Sequence, residues 1–240
     1  MRAALSSQKR FLATVACLCL MVPVARAAAP DTRQGAPSET ALPGAEQGVF
    51  RVYADGKEIG TETFRIVRDG ADWIAEGRVA LDSADGKVQQ ATKLLLTSDG
   101  GLRSYSWEQS SPKKASANVA YQDGKAVIEY KLDRGSDRAE YSFGTPQVAI
   151  LDNNVFHHFI FLIRHYDFAK SGSQQIPIFV PQDVTPGTIA VADRGVENRQ
   201  GKKWRHMTAS TSDLEIHLWL EGERLVKIAV PAANVEVVRE

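Results

Sequence analysis

Asp69-Gly70-Ala71-Asp72-Trp73-Ile74-Ala75-Glu76-Gly77-Arg78-Val79-Ala80-Leu81-Asp82-Ser83-Ala84-Asp85-Gly86 is the stretch that decides the fold. It is bounded by two Asp-Gly pairs, and Asp-Gly accepts the positive φ values that tight hairpin turns demand. Between the pairs, Trp73, Ala75, Gly77, Val79 and Leu81 fall on one face, while Glu76, Arg78 and Asp82 fall on the other. A period of two fits a strand with one buried and one wet face.

The same signature extends in both directions. Asp-Gly recurs at Asp55-Gly56, Asp99-Gly100 and Asp123-Gly124. Val119 and Tyr121 are expected to pair with Ile128, Tyr130 and Leu132 across the last of these turns. Further on, Leu214, Ile216, Leu218 and Leu220 alternate with Glu215, His217 and Glu221. Turns are expected again near Asn198-Arg199-Gln200-Gly201 and Glu221-Gly222-Glu223. The whole reads as an antiparallel meander of about 13 strands.

One segment departs from the alternation. Asp152-Asn153-Asn154 can cap a helix start, and an apolar stretch from Val155 to Phe168 follows. Val155, Phe159, Leu162 and Tyr166 share one helical face, and Phe156, Ile160 and Ile163 share the adjacent one. The wide apolar arc predicts a deeply buried helix over 153–168, ended by Ser171-Gly172-Ser173; a buried strand pair is the alternative. After it, Pro177 and Pro181 remove donors from one edge of a strand, which places that strand at a sheet edge or in a crossover. The expected fold is therefore mainly β. It is a long curved antiparallel sheet, an open half-barrel, wrapped around one buried helix that fills its concave face.

The chain has 240 residues, with 29 basic and 29 acidic side chains and 43% hydrophobic content. This excludes a polytopic membrane protein and a fully disordered chain, and it supplies no excess charge for nucleic acid. The neutrality hides an expected processing event. Arg2, Lys9 and Arg10 precede an apolar run from Phe11 to Val24, and Ala25-Arg26-Ala27 offers a cleavage site. This pattern reads as a signal peptide over 1–27, the run being too short to span a bilayer. A lipidated Cys17 is disfavoured, because Thr14-Val15-Ala16 lacks the leucine usual three residues before it. Removing 1–27 takes four basic residues and no acidic one; 29 less 4 leaves 25 basic against 29 acidic, a net charge of −4. Both cysteines, Cys17 and Cys19, leave too, so no thiol or disulfide is expected in the exported chain. A Pro-rich leader over 28–46, carrying Pro30, Pro37 and Pro43, should precede a single β-rich domain at 47–240. The expected location is outside the cytoplasm of a bacterial-type cell, periplasmic or secreted.

The segment Phe50-Arg51-Val52-Tyr53-Ala54-Asp55-Gly56-Lys57-Glu58-Ile59-Gly60-Thr61-Glu62 resembles the first hairpin of uncharacterised exported proteins whose mature region starts Y-x-V-Y-x-x-G-x-x-I-G. The late helix with its Asp-Asn start is similar too. So is the closing meander, ending at Val230-Pro231 and Val235-Glu236-Val237-Val238-Arg239. Those proteins are similar in fold to the Lol-type lipoprotein carriers, in which a half-barrel wraps helices and holds acyl chains. The resemblance implies an envelope protein with a curved sheet. It fixes no functional residue, and this chain has one expected helix where the carriers have more.

Catalytic signatures are missing from the sequence: it holds no G-x-S-x-G, H-E-x-x-H, G-x-G-x-x-G or G-x-x-x-x-G-K-[ST]. The polar cluster of interest is His157, His158, Arg164 and His165, near Asp152 and Asp167. On a helix, His157 and His158 point about 100° apart and His165 lies about two turns on, so one helix cannot chelate with them. A metal site would need His206 or His217; neither a metal nor another cofactor is expected. Histidines edging a buried helix, bonded to strand carbonyls, are the plain reading, with a pH-responsive contact or a hydrolase base as alternatives. If a ligand is held in the curve, Trp73, Phe156, Phe159 and Ile163 are the side chains to contact it, although the inward face that Trp73 shares with Val79 and Leu81 favours core packing for it. Trp219 should share the outer face with Glu215 and His217, as a contact surface or a cross-strand pair. Lys113-Lys114 and Lys202-Lys203 read as solvated turns. The function expected is non-enzymatic binding of an apolar or lipid-like ligand, or of another envelope protein by a module without a cavity.

Overall fold

The computed structural model describes residues 45–240, apart from 85, 134 and 200. The expected signal peptide, the leader up to position 44, Asp85 and Gln200 lie outside the described residues. The first eight strands form one continuous meander. They are β1 (Glu46–Ala54), β2 (Lys57–Asp69), β3 (Asp72–Ser83), β4 (Gly86–Leu96), β5 (Leu102–Ser111), β6 (Ala115–Gln122), β7 (Lys125–Leu132) and β8 (Gly135–Ser142). A two-residue strand, β9 (Ala149–Ile150), leads to the helix α1 (His158–Arg164). The second meander runs through β10 (Ser173–Val180), β11 (Thr185–Arg199), β12 (Lys202–Ser210), β13 (Glu215–Glu221), β14 (Arg224–Val230) and β15 (Val235–Arg239).

All fifteen described strands join one sheet, in the order β8-β7-β6-β5-β4-β3-β2-β1-β15-β14-β13-β12-β11-β10-β9. The chain thus starts near the middle, runs to one edge and crosses over through α1. It then runs back from the other edge until β15 pairs antiparallel with β1, Phe50 opposite Arg239. The crossover ends with β9 and β10 parallel, the one parallel pairing in the described sheet. The four Asp-Gly pairs whose residues are both described fall at hairpin turns. At Asp55-Gly56 and Asp123-Gly124 both residues take positive φ (51° and 75°; 52° and 77°), as a type I′ turn requires.

The sheet is curved and open, as expected, and α1 fills its concave side. Trp73, Ala75, Val79 and Leu81 point into the core with Ile160, Phe161, Leu162 and Ile163 of the helix. The sheet's two edges approach without pairing: Tyr141 Oη donates to the Val184 carbonyl at 2.8 Å, and the Tyr141 and Phe143 rings lie 5.3 and 6.1 Å from Phe179.

Two expectations need correction in detail. The helix has seven residues rather than the sixteen of 153–168. Asn154 sits at φ 67°, a left-handed conformation that interrupts a right-handed helix, and the Asp152 carboxylate bonds to other elements instead of capping. Beyond α1, Tyr166 Oη reaches the Gly172 carbonyl at 2.8 Å and draws the chain into a turn. The proline-bearing strand β10 is one place in from the edge, yet only Ile178 and Phe179 pair outward, with β9, so the Pro177 nitrogen meets no ladder there. Of the two readings of Trp219, the cross-strand pair holds: the ring is only 6% exposed and stacks on its partner His206 at 5.0 Å.

Candidate functional site

The start of α1 is pinned to the sheet by a buried polar cluster. Glu62 of β2 lies on the inner face, opposite Phe50 of β1 and Val79 of β3, and is fully buried. One of its carboxylate oxygens accepts the backbone N–H groups of Phe156 and His157, both at 2.9 Å. The other lies 2.7 Å from His157 Nδ1. Three donors around one carboxylate compensate its lost hydration, and they require His157 to carry its proton on Nδ1. Glu62 thereby does for this turn what a side-chain cap does for a helix start.

His157 needs space that the sheet supplies at Gly77. A Cβ on Gly77 would stand 2.6 Å from His157 Cε1. The glycine interrupts the apolar face of β3 because the imidazole occupies that place. His157 also stacks on Phe64, with ring centroids 5.7 Å apart and planes within 5°.

His158 is equally buried, packed edge-on to Tyr105 at 5.3 Å and against His157 at 4.5 Å. Neither of its ring nitrogens has a hydrogen-bond partner among the described residues. Burial, and then the neighbouring His157, push its pKa well below the usual imidazole value. Tyr105 continues the network, donating from Oη to Asp152 at 2.6 Å. Asp152 also accepts the Gln182 N–H at 2.9 Å, yet burial outweighs both bonds and raises its pKa to about 7. The cluster so links β2, β5, the approach to α1 and the turn after β10.

The other expected residues divide among separate environments. Arg164 Nη2 lies 3.5 Å from Glu46, and burial lowers its pKa to about 10 against the pull of Glu46 and Glu223. Arg239 of β15 bonds the same carboxylate and stacks over Phe64 at 4.8 Å, so Glu46 ties the first strand to the helix and to the last strand. His165 is neutralised by burial, its pKa lowered to about 4. Trp73 and Ile163 are in the core, with Arg68 over the Trp73 ring at 4.7 Å, while Phe156 and Phe159 are half-buried. His206 and His217 do not approach the helix histidines; they bond to each other on the outer face. Among the described residues, no three His, Cys, Asp or Glu side chains are grouped to hold a metal.

Sequence reasoning missed Glu62, Tyr105 and Gly77. The alternation held the signal: Glu62 is in phase with Phe64 and Ile66, and Gly77 is in phase with Ala75 and Val79. A charge and a gap at two inward positions mark where a polar group from elsewhere enters.

No protein-family model matches the chain, and no curated protein does. Among solved structures, a DUF1329 family protein from Desulfovibrio piger aligns over 82% of each chain, with 11% identity and a TM-score of 0.23. That likeness is too loose to bear on fold or function, and kinship with the lipoprotein carriers is not shown by these comparisons.

Proposed function

We propose that the protein is exported to the cell envelope and works there by binding, with the outer face of strands β3–β7 as its working surface. One observation carries this reading: a depression of about 750 Å³ crosses those five strands. Its lining follows a row of register partners, Arg78, Ala91, Glu108, Ser116 and Lys131. Ala80, Ala91, Ala115 and Ser116 keep the floor low, and Arg78, Lys114 and Lys131 outnumber the single acid Glu108. A smaller depression of about 320 Å³ shares Arg78 and Ala91 and adds Arg65 and Glu76. On a domain expected to be acidic overall, this local excess of cations suits a partner segment that bears carboxylates.

The concave side is taken up by the protein's own helix, whose Ile160, Phe161, Leu162 and Ile163 are buried against the sheet. Phe156 and Phe159, half-buried, and Phe168, 46% exposed beyond the helix, favour a second reading in which an apolar or lipid-like ligand is held there.

Fluorescence anisotropy with a labelled oligo-glutamate peptide separates the two. Arg78→Glu with Lys131→Glu should weaken binding at least roughly tenfold. No binding of the peptide by the unaltered protein, together with uptake of an acyl fluorophore, would replace the first reading by the second.

A further inference from the structure

The second histidine pair of the molecule stands apart from the helix. His206 of β12 and His217 of β13 are diagonal neighbours on the outer face and half-buried. His206 Nε2 lies 2.9 Å from His217 Nδ1. The ring centroids are 5.1 Å apart with planes within 18°. That separation nearly equals the N···N distance plus the two ring radii, so both nitrogens sit on the line between the rings. The outer nitrogens each face a carboxylate: His206 Nδ1 is 3.0 Å from Glu197 of β11, and His217 Nε2 is 3.0 Å from Glu215. Three contacts in series, Glu197–His206–His217–Glu215, therefore join three strands.

Proton counting decides the state of this chain. Each contact needs one proton, ionised carboxylates supply none, and two neutral imidazoles carry only two. With no extra proton, two lone pairs face each other somewhere along the chain. With two extra protons, N–H faces N–H at the central contact. Only one extra proton, shared by the two rings, completes all three bonds. We propose that His206 and His217 share this single proton and form a clasp across β11, β12 and β13 that is closed only in an intermediate pH window.

The surroundings fit a shared cation that resists a second proton. Arg199 above all, with His206 adding, holds Glu197 below the usual carboxylate range, so the third proton belongs to the rings. Burial holds His206 below the usual imidazole value, His217, Arg199 and Arg194 add to this, and Glu197 opposes it. Arg194 itself donates from Nε to Thr208 Oγ1 at 3.0 Å. Trp219 stacks on His206 at 5.0 Å, under Arg199 at 4.8 Å and Lys227 at 5.5 Å, and Lys227 of β14 is paired to Glu236 of β15. The two titration steps belong to the pair rather than to either ring.

Nitrogen-15 NMR of the full domain across pH 4–9 tests the clasp. The expected result is two proton steps separated by more than about one pH unit, with both rings sensing both steps. Between the steps, the protection factors of the amides around Met207 and Ala209, with the intrinsic pH dependence of exchange divided out, should be at least roughly tenfold higher than outside them. His206→Asn and His217→Asn should each turn the remaining histidine into a single-step titration and abolish the maximum in protection. Two independent single-step titrations in the unaltered protein, each indifferent to the other ring, would overturn the proposal without need of either variant.

Discussion

The molecule holds two histidine pairs with opposite fates. His157 and His158 are neighbours in sequence and sealed under the sheet, where a single carboxylate, Glu62, takes one ring and two backbone N–H groups. His206 and His217 come from two strands and have a carboxylate at each end. In the first pair, burial holds His158 well below the usual imidazole value, and its ring is left without a hydrogen bond among the described residues. In the second, the flanking acids ask for an extra proton. The number and placement of carboxylates, rather than the histidines themselves, decide whether the pair fixes structure or responds to pH.

The most severe way to break the inner half of this comparison is Glu62→Leu. It leaves three buried donors unmatched and should cost about 3–5 kcal/mol in urea unfolding, as loss of one partner from a buried polar cluster does. A cost near zero would mean that the cluster does not hold the helix. Gly77→Ala comes next, since the new Cβ would press on His157 Cε1 from 2.6 Å. Displacing the ring should cost about 1–3 kcal/mol, read as a lowered Tm.

The smallest effect sharpens the contrast through pH. His158 and His165 have lowered folded pKa values, so their contribution is complete above the unfolded value of about 6.5 and is lost as pH falls below it. Asp152, raised to about 7, has the opposite sign: its contribution is complete at low pH and is lost as pH rises through that value. Each group changes stability by at most about 1.4 kcal/mol per pH unit. Between about pH 4 and 6.5, His158→Phe should therefore flatten the rise of stability with pH relative to the unaltered protein. Parallel curves for the two proteins would show that His158 is not held neutral.

Much of this was legible in the residues. The Asp-Gly turns and the alternation from Trp73 to Leu81 mark the first meander, because each hairpin depends on contacts local in sequence. The helix was placed but drawn too long, because Asn154 turns left-handed to suit a cluster whose members lie 47 and 95 residues apart. Strand β9 has only two residues and no pattern of its own; it exists because β10 offers an edge. The outer histidine chain was invisible for a related reason. The β12–β13 ladder that sets His206 beside His217 is regular, but the phase that brings Glu197 to His206 depends on a bulge in β11 between Asp193 and Gly195, which no composition predicts.

The pairing of β15 with β1 has a consequence for how the chain folds. Each meander can assemble from neighbouring hairpins, but the seam joins segments 189 residues apart, as at Arg51 and Glu240. The entropy of closing the largest loop is concentrated in that one step, which comes late. Until then, β1 is an open strand edge next to a formed ladder, a surface on which another copy could pair. The last strand is thus also the element that ends the interval in which a half-made sheet is open to aggregation.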